Sequence, residues 1–193
     1  INLKVVGGVW GNLTANTNGL PVSSGSGALI DNTSASTPQV VKLIGTNTFN
    51  GNYTNGLVVH SLGGVTINNL TANHTVSGSG ALIWNSFGGA SGGVTLSGFT
   101  YASENTGQGI NIASLGNVSL TKVTADGNNT DGLYVNTTGN VTLTCGSFTS
   151  NGQDGVELST ALATLKGVFA SGNGALNYNI PGGSAIVRSC PLP

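Results

Sequence analysis

Charge is what this sequence has least of. Asp, Glu, Lys and Arg make up 6% of its 193 residues, against about 25% in ordinary globular chains. The five cations, Lys4, Lys42, Lys122, Lys166 and Arg188, are scattered, and the formal net charge is −1. No basic stripe can follow a phosphate backbone, so nucleic acid is not an expected partner. Met is absent and Glu, Lys and Arg are scarce, which removes most of the straight-chain residues that favour helices and argues against an ordinary helical enzyme. No apolar run approaches the roughly 20 residues of a membrane-spanning helix. Ile1 opens on strand-like sequence rather than a basic, then apolar, leader, and the expectation is a chain already processed or excised. Prolines number five, and all avoid the regular middle, where they would cost ladder hydrogen bonds.

What is abundant is Gly, at 32 residues, with Asn, Thr and Ser, set among alternating Val, Ile and Leu. That composition predicts an all-β chain, and its length predicts one domain over 1–193. An uncharged surface rich in Thr, Ser and Asn further suggests an extracellular or cell-surface location.

Self-similarity organises the chain. A Gly followed by an alternating apolar strand recurs at Gly27, Gly56, Gly80, Gly109, Gly132 and Gly155, at intervals of 29, 24, 29, 23 and 23 residues. Insertions near SASTP (34–38) and GGASGG (88–93) account for the long intervals. Each unit carries a second strand, as in Val65–Ile67, Val94–Leu96, Val118–Leu120, Val141–Leu143 and Ala163–Leu165, then a third apolar point at Leu70, Phe99, Val123, Phe148 and Val168. Three short strands per unit describe one rung of a parallel coil, right-handed by the crossover rule, of about seven rungs at roughly 4.8 Å spacing. Four units place Asn four residues before the next Gly: Asn52, Asn105, Asn128 and Asn151. Stacked at one turn, these amides predict a structural ladder, with Gly supplying positive φ.

The segment GNVTLTCGSFTSNGQDG followed by LATLKGVFASGNGALNYNI resembles the right-handed parallel β-helix repeat proteins, large secreted or surface polypeptides of filamentous and other environmental bacteria, distantly akin to pectate-lyase-like and haemagglutinin-type helices. The resemblance covers nearly the whole chain. It implies the fold strongly and the function weakly, because that scaffold carries lyases, hydrolases, adhesins and passive fibres alike.

Candidate chemistry is sparse. Asp131 and Asp154 share one turn of consecutive rungs, roughly 5 Å apart, with Asp126 at an adjacent turn. They read either as solvated turn residues before Gly or as a weak Ca²⁺ site. Lys122 and Lys166 belong to a different sheet and cannot serve them as a base, so no catalytic residue, metal or cofactor is assigned. The first strands present outward columns Asp31, His60, Trp84, Ala113, Asn136, Ser159 and Leu29, Val58, Leu82, Asn111, Tyr134, Glu157. Asp31 beside His60 offers to orient an imidazole, and His60, Trp84 and Tyr134 are the candidate carbohydrate contacts. The alternative is an apolar outer strip of Leu29, Val58, Leu82 and Trp84 covered by another subunit or a loop. Thr66, Thr95, Ser119, Thr142 and Thr164 line the second strands, a pattern expected of any parallel sheet. Cys145 and Cys190 fall two rungs apart, roughly 9 to 10 Å in a regular coil, which leaves their pairing open.

No capping helix is predicted at either end. NLKVV (2–6) and SAIVRSC (184–190) both read as second strands of a rung, so Leu3, Val5, Val6, Ile186, Val187 and Cys190 are candidate interface residues for head-to-tail stacking, which without ring closure gives a filament. The expected function is a non-enzymatic structural subunit of an extracellular fibre or surface layer, its partners being copies of itself. A glycan-binding adhesin is the alternative, and a polysaccharide lyase or hydrolase a weaker one.

Overall fold

The computed structural model describes residues 1–20 and 25–181. Its sixteen strands are β1 (Asn2–Lys4), β2 (Val9–Gly11), β3 (Ala28–Asp31), β4 (Val41–Leu43), β5 (Asn47–Thr48), β6 (Leu57–His60), β7 (Val65–Thr71), β8 (Ala81–Asn85), β9 (Val94–Tyr101), β10 (Ile110–Ser114), β11 (Val118–Thr124), β12 (Leu133–Thr137), β13 (Asn140–Thr149), β14 (Val156–Ser159), β15 (Leu162–Ser171) and β16 (Tyr178–Asn179). They form two parallel sheets. The first runs β1-β3-β6-β8-β10-β12-β14-β16 and the second β15-β13-β11-β9-β7-β4-β2, with β5 also on β7. Each strand pairs with its equivalent one turn on, so the chain is a coil of about seven turns and its backbone hydrogen bonds run along the axis.

In the five units of β7, β9, β11, β13 and β15 the second and third strands are continuous, bent at a corner where one residue takes a left-handed conformation. That residue is Asn69 (φ 45°), Gly98 (71°), Lys122 (53°), Cys145 (57°) or Gly167 (59°) in successive turns. A second left-handed column, Thr17, Gly51, His74, Glu104, Gly127, Ser150 and Gly172, immediately precedes the column of Asn18, Asn52, Thr75, Asn105, Asn128, Asn151 and Asn173. Alternation then places one apolar core inside the coil, built from residues such as Ile30, Val59, Ile83, Ile112, Val135 and Leu158 on the first sheet and Val41, Ile67, Leu96, Leu120, Leu143 and Leu165 on the second.

The six repeat glycines do not supply positive φ, contrary to expectation. They supply room. A Cβ on Gly109 would lie 2.5 Å from the Ala102 carbonyl oxygen, 2.6 Å from that of Gly132 and 2.8 Å from Asn128 Nδ2. Gly27, Gly56, Gly80, Gly132 and Gly155 meet equally close atoms, because each rung here lies directly against its neighbour.

Those close approaches include the buried amides of Asn52, Asn105, Asn128 and Asn151. Nδ2 of Asn105 donates to Asn128 Oδ1, Nδ2 of Asn128 to Asn151 Oδ1 and Nδ2 of Asn151 to Asn173 Oδ1, each at 3.0 Å. The same acceptor oxygens also take the backbone N–H of the preceding rung at 2.9–3.0 Å. Asn18 joins at the other end, donating to Asn52 Oδ1 at 2.9 Å, while Thr75 stands in the column between Asn52 and Asn105 and donates only its backbone N–H to Asn105. Asn18 and Asn173 were not expected: the first lies nine residues before the repeat glycine Gly27 rather than four, and the second lies four residues before Asn177 rather than before Gly.

Two further departures have a physical reason. Phe99 was expected to point inward, yet it is 53% exposed. One extra residue bulges β9 after Ser97, so Thr100 rather than Phe99 pairs with Leu70 and Val123 and enters the core. Phe148 is buried, but one step beyond the expected point. Gly146 is opposite Val123 and Val168, and a Cβ there would come within 2.6 Å of the Phe148 ring, so the missing side chain makes space for the next one. NLKVV is also reassigned: β1 belongs to the first sheet, paired with β3 from Asn2 opposite Leu29 to Lys4 opposite Asp31, and is not a second strand.

Candidate functional site

The outward columns of the first sheet follow the expected register: Asp31, His60, Trp84, Ala113, Asn136 and Ser159 face one another across β3, β6, β8, β10, β12 and β14. In-register side chains on a parallel sheet repeat at the strand spacing, which suits flat rings. His60 and Trp84 stack with centroids 5.3 Å apart and planes 11° apart, and Phe87 meets His60 edge-on at 5.5 Å. Phe87 immediately precedes the GGASGG insertion, whose Ser91 N–H donates to the Leu62 carbonyl at 2.7 Å and whose Ala90 N–H returns to the Phe87 carbonyl.

Burial lowers the His60 pKa, and the nearby Asp31 charge only partly opposes it. Asp31 does not orient the imidazole through a hydrogen bond. Its Oδ1 accepts the Thr33 hydroxyl at 2.7 Å and the Thr33 N–H at 3.0 Å, and these bonds hold its carboxyl below the usual range.

Trp84 stays 37% exposed. The next residue in its column is Ala113, whose methyl group is too small to cover the indole face turned away from His60. A notch therefore lies over Ala113, with Trp84 on one side and Asn136 one strand further on. Tyr134 stands in the adjacent column, opposite Asn111 and two strands from β8, at the far rim of this notch rather than against Trp84. The apolar strip of Leu29, Val58 and Leu82 is mostly covered, with Val58 6% exposed.

The acid cluster differs from expectation in one member. Carboxylate oxygens of Asp131, Asp154 and Glu157 lie within 4.8 Å of one another, the grouping among the described residues that could hold a metal ion. Asp126 is not in it; its Oδ1 accepts the Thr149 N–H at 2.6 Å, and Ser147 also donates to it. Asp131 and Asp154 are buried because they serve the backbone. Asp131 Oδ1 accepts the Asp154 N–H at 3.0 Å, and Asp154 accepts the Leu176 N–H at 2.8 Å and the Asn179 amide at 2.8 Å. Burial, and then the neighbouring Asp154 charge, push the Asp131 carboxyl up; burial, then Asp131 and Asp154, push Glu157 up. No Lys or Arg bridges these acids among the described residues: the salt bridge there joins His74 to Glu104 at 2.8 Å on the exposed turn column.

Of the expected interface residues, Leu3 packs against the core, Val5 is half-buried and Val6 is 73% exposed. Ile186, Val187 and Cys190 lie outside the described residues. Cys145 is disulfide-bonded. No helix among the described residues is long and apolar enough to cross a membrane.

No curated protein and no solved structure matches the chain in the comparisons made. The family described as right handed beta helix region matches residues 26–175, which span the coil from the first repeat glycine to the turn before β16. With the parallel two-sheet coil, its stacked amides and this match, the chain belongs to the right-handed β-helix family.

Proposed function

We propose that the chain is a non-enzymatic, extracellular β-helix module that binds carbohydrate in the notch between Trp84 and Asn136. The observation that carries this reading is the His60–Trp84 stack at 5.3 Å with Ala113 beside it. It holds an indole rigid on one side and leaves the other open over a shallow floor. An apolar sugar face stacks on such a ring, while Asn111, Asn136 and Tyr134 supply amide and hydroxyl partners around it. Charged residues at 6% of the chain suit an uncharged glycan. The acid cluster supports no hydrolytic reading, since two of its three members are engaged with backbone N–H groups.

The test is a glycan array followed by titration of any hit. Trp84→Ala is expected to weaken binding at least tenfold, and Ala113→Phe to block it by filling the notch, while Phe169→Ala on the other sheet leaves it unchanged. Binding that survives both notch variants would overturn the reading.

A second reading is head-to-tail stacking. It is favoured by the outer edges of β1 and β2, which have no strand partner among the described residues. Sedimentation across a hundredfold concentration range checks it: association abolished by Val6→Asp supports stacking, and a constant monomer ends it.

A further inference from the structure

The notch over Ala113 is one end of a longer trough. The outward residues of β10, Asn111 and Ala113, form its floor; Leu82 and Trp84 of β8 stand along one side, and Tyr134 and Asn136 of β12 along the other. The two walls differ in kind: one is an indole beside a branched alkyl group, the other an amide beside a phenol. The amides of Asn52, Asn105, Asn128 and Asn151 are committed to one another and to the backbone. The side chains of Asn111, Tyr134 and Asn136, by contrast, have no hydrogen-bond partner among the described residues. Their donors and acceptors remain for a ligand.

The width of the trough decides what fits. Rungs repeat at roughly 4.8 Å, so the two walls stand roughly 9.6 Å apart. The stack of His60 on Trp84, with planes 11° apart, sets the indole across the coil axis. A ring resting on the free indole face lies roughly 3.5–4.0 Å from it, which leaves roughly 5.6–6.1 Å to the Asn136 wall. A hydrogen bond spans only about 2.7–3.2 Å. An equatorial hydroxyl lies near the plane of its ring and leaves that gap unbridged. An axial hydroxyl on the face away from the indole rises a bond length toward Asn136, and the amide, projecting from its own Cβ, covers the remainder. Charge selects further. The facing columns from β8 to β14 hold no Lys or Arg, and Glu157 follows Tyr134 in its column. A sugar carboxylate would be repelled here rather than paired.

Resting on the carbohydrate reading of this notch, we propose that the trough selects an uncharged galacto-configured pyranose, with its C–H face on Trp84 and its axial C4 hydroxyl on Asn136. In such a ring the hydrogens of C3, C4 and C5 make one apolar face, and the C4 hydroxyl projects from the opposite one. Two unlike faces match a trough with one apolar and one amide wall. A gluco-configured ring carries its hydroxyls equatorially, so its two faces are alike and it offers Asn136 nothing within reach. Asn111 on the floor and Tyr134 beside Asn136 meet the hydroxyls along the ring edge. Affinity then resides chiefly in Trp84, and selectivity in Asn136.

The chain has two tryptophans, so the indole N–H signals of Trp84 and of Trp10, on β2, report the trough and a control in one NMR titration. Methyl β-galactoside is expected to shift the Trp84 signal alone, with a Kd about tenfold or more below that of methyl β-glucoside. Asn136→Leu is expected to bring the two within about twofold by weakening the galactoside, and galacturonate to bind severalfold more weakly than the galactoside. Trp84-dependent binding in which the glucoside equals the galactoside, a preference that survives Asn136→Leu, or galacturonate binding as tightly as the galactoside overturns this inference and leaves the notch reading standing. No Trp84 shift with either sugar overturns it too; the notch reading falls with it only when the glycan array also yields no Trp84-dependent ligand.

Discussion

Replacing Asp131 with Asn isolates the contribution of the acid cluster to stability. Two unit charges 4.8 Å apart, the upper limit of the oxygen separations in the cluster, repel by about 3.5 kcal/mol at an effective dielectric constant of 20 and about 0.9 kcal/mol in water. Asp131 and Asp154 are 4% and 6% exposed but Glu157 opens toward solvent, so a middle figure of about 2 kcal/mol is appropriate. The substitution keeps the acceptor for the Asp154 N–H: Asn55, in the same column, accepts the Ser79 N–H at 2.9 Å. Losing the charge on that acceptor costs about 1 kcal/mol. The net gain of about 1 kcal/mol corresponds to a Tm raised by about 2–4 °C at pH 7 for a chain of this size. The Asp131 and Glu157 carboxyls are raised in the folded state. They therefore bind protons more tightly folded than unfolded, and wild-type stability increases as pH falls from 7 through their folded pKa values. The advantage of Asp131→Asn must shrink over the same interval. Calorimetry at pH 7 and pH 4 in low salt measures both effects. A Tm below wild type at pH 7, or a gain equal at both pH values, would refute the argument.

Three other outcomes follow from the packing. Gly109→Ala forces a Cβ against two carbonyl oxygens within 2.6 Å and is expected to cost more than about 3 kcal/mol in chemical denaturation, whereas alanine at the open Gly88 changes stability by less than about 0.5 kcal/mol. Asn128→Ala leaves the N–H and the Nδ2 of Asn105 without their shared acceptor in a dry interior; at about 1–3 kcal/mol per orphaned donor, a loss of about 3 kcal/mol or more is expected, centred on protection of the neighbouring rungs in hydrogen exchange. Thr100→Val works in the opposite direction, because Thr100 Oγ1 is buried with no hydrogen-bond partner and its column neighbours are Leu70 and Val123; a gain of about 1 kcal/mol is expected by urea titration.

Where a residue type served one purpose in every turn, the chain was legible. Gly followed by Ala-Leu-Ile, Leu-Val-Val or Ile-Asn-Ile fixes both the start of a rung and the parity of its side chains, so the outward columns from Asp31 to Ser159 could be written down in register. The reason for the glycines could not, since positive φ and lack of room leave the same letter in the sequence. Parity fails at any insertion. One extra residue in β9 sends Phe99 outward and draws Thr100 inward, and no local pattern marks the site. The stacking of His60 on Trp84 follows from register alone, but Phe87 arrives from a loop whose path depends on the Ser91 to Leu62 bond. Glu157 rather than Asp126 completes the acid cluster because it projects from the strand beside Asp154, while Asp126 turns back onto Thr149.

The direction of the backbone ladders governs how the molecule carries load. Because every inter-rung hydrogen bond lies along the axis, tension applied end to end reaches the rungs in series, each one bearing the full force. The coil should then shed turns from an end one at a time, each of about 23 residues releasing roughly 80 Å of chain, so a rod of this construction lengthens in steps under a pull that would snap a cooperatively locked domain at once. Force applied across the axis meets whole sheets in shear and finds the same molecule stiff.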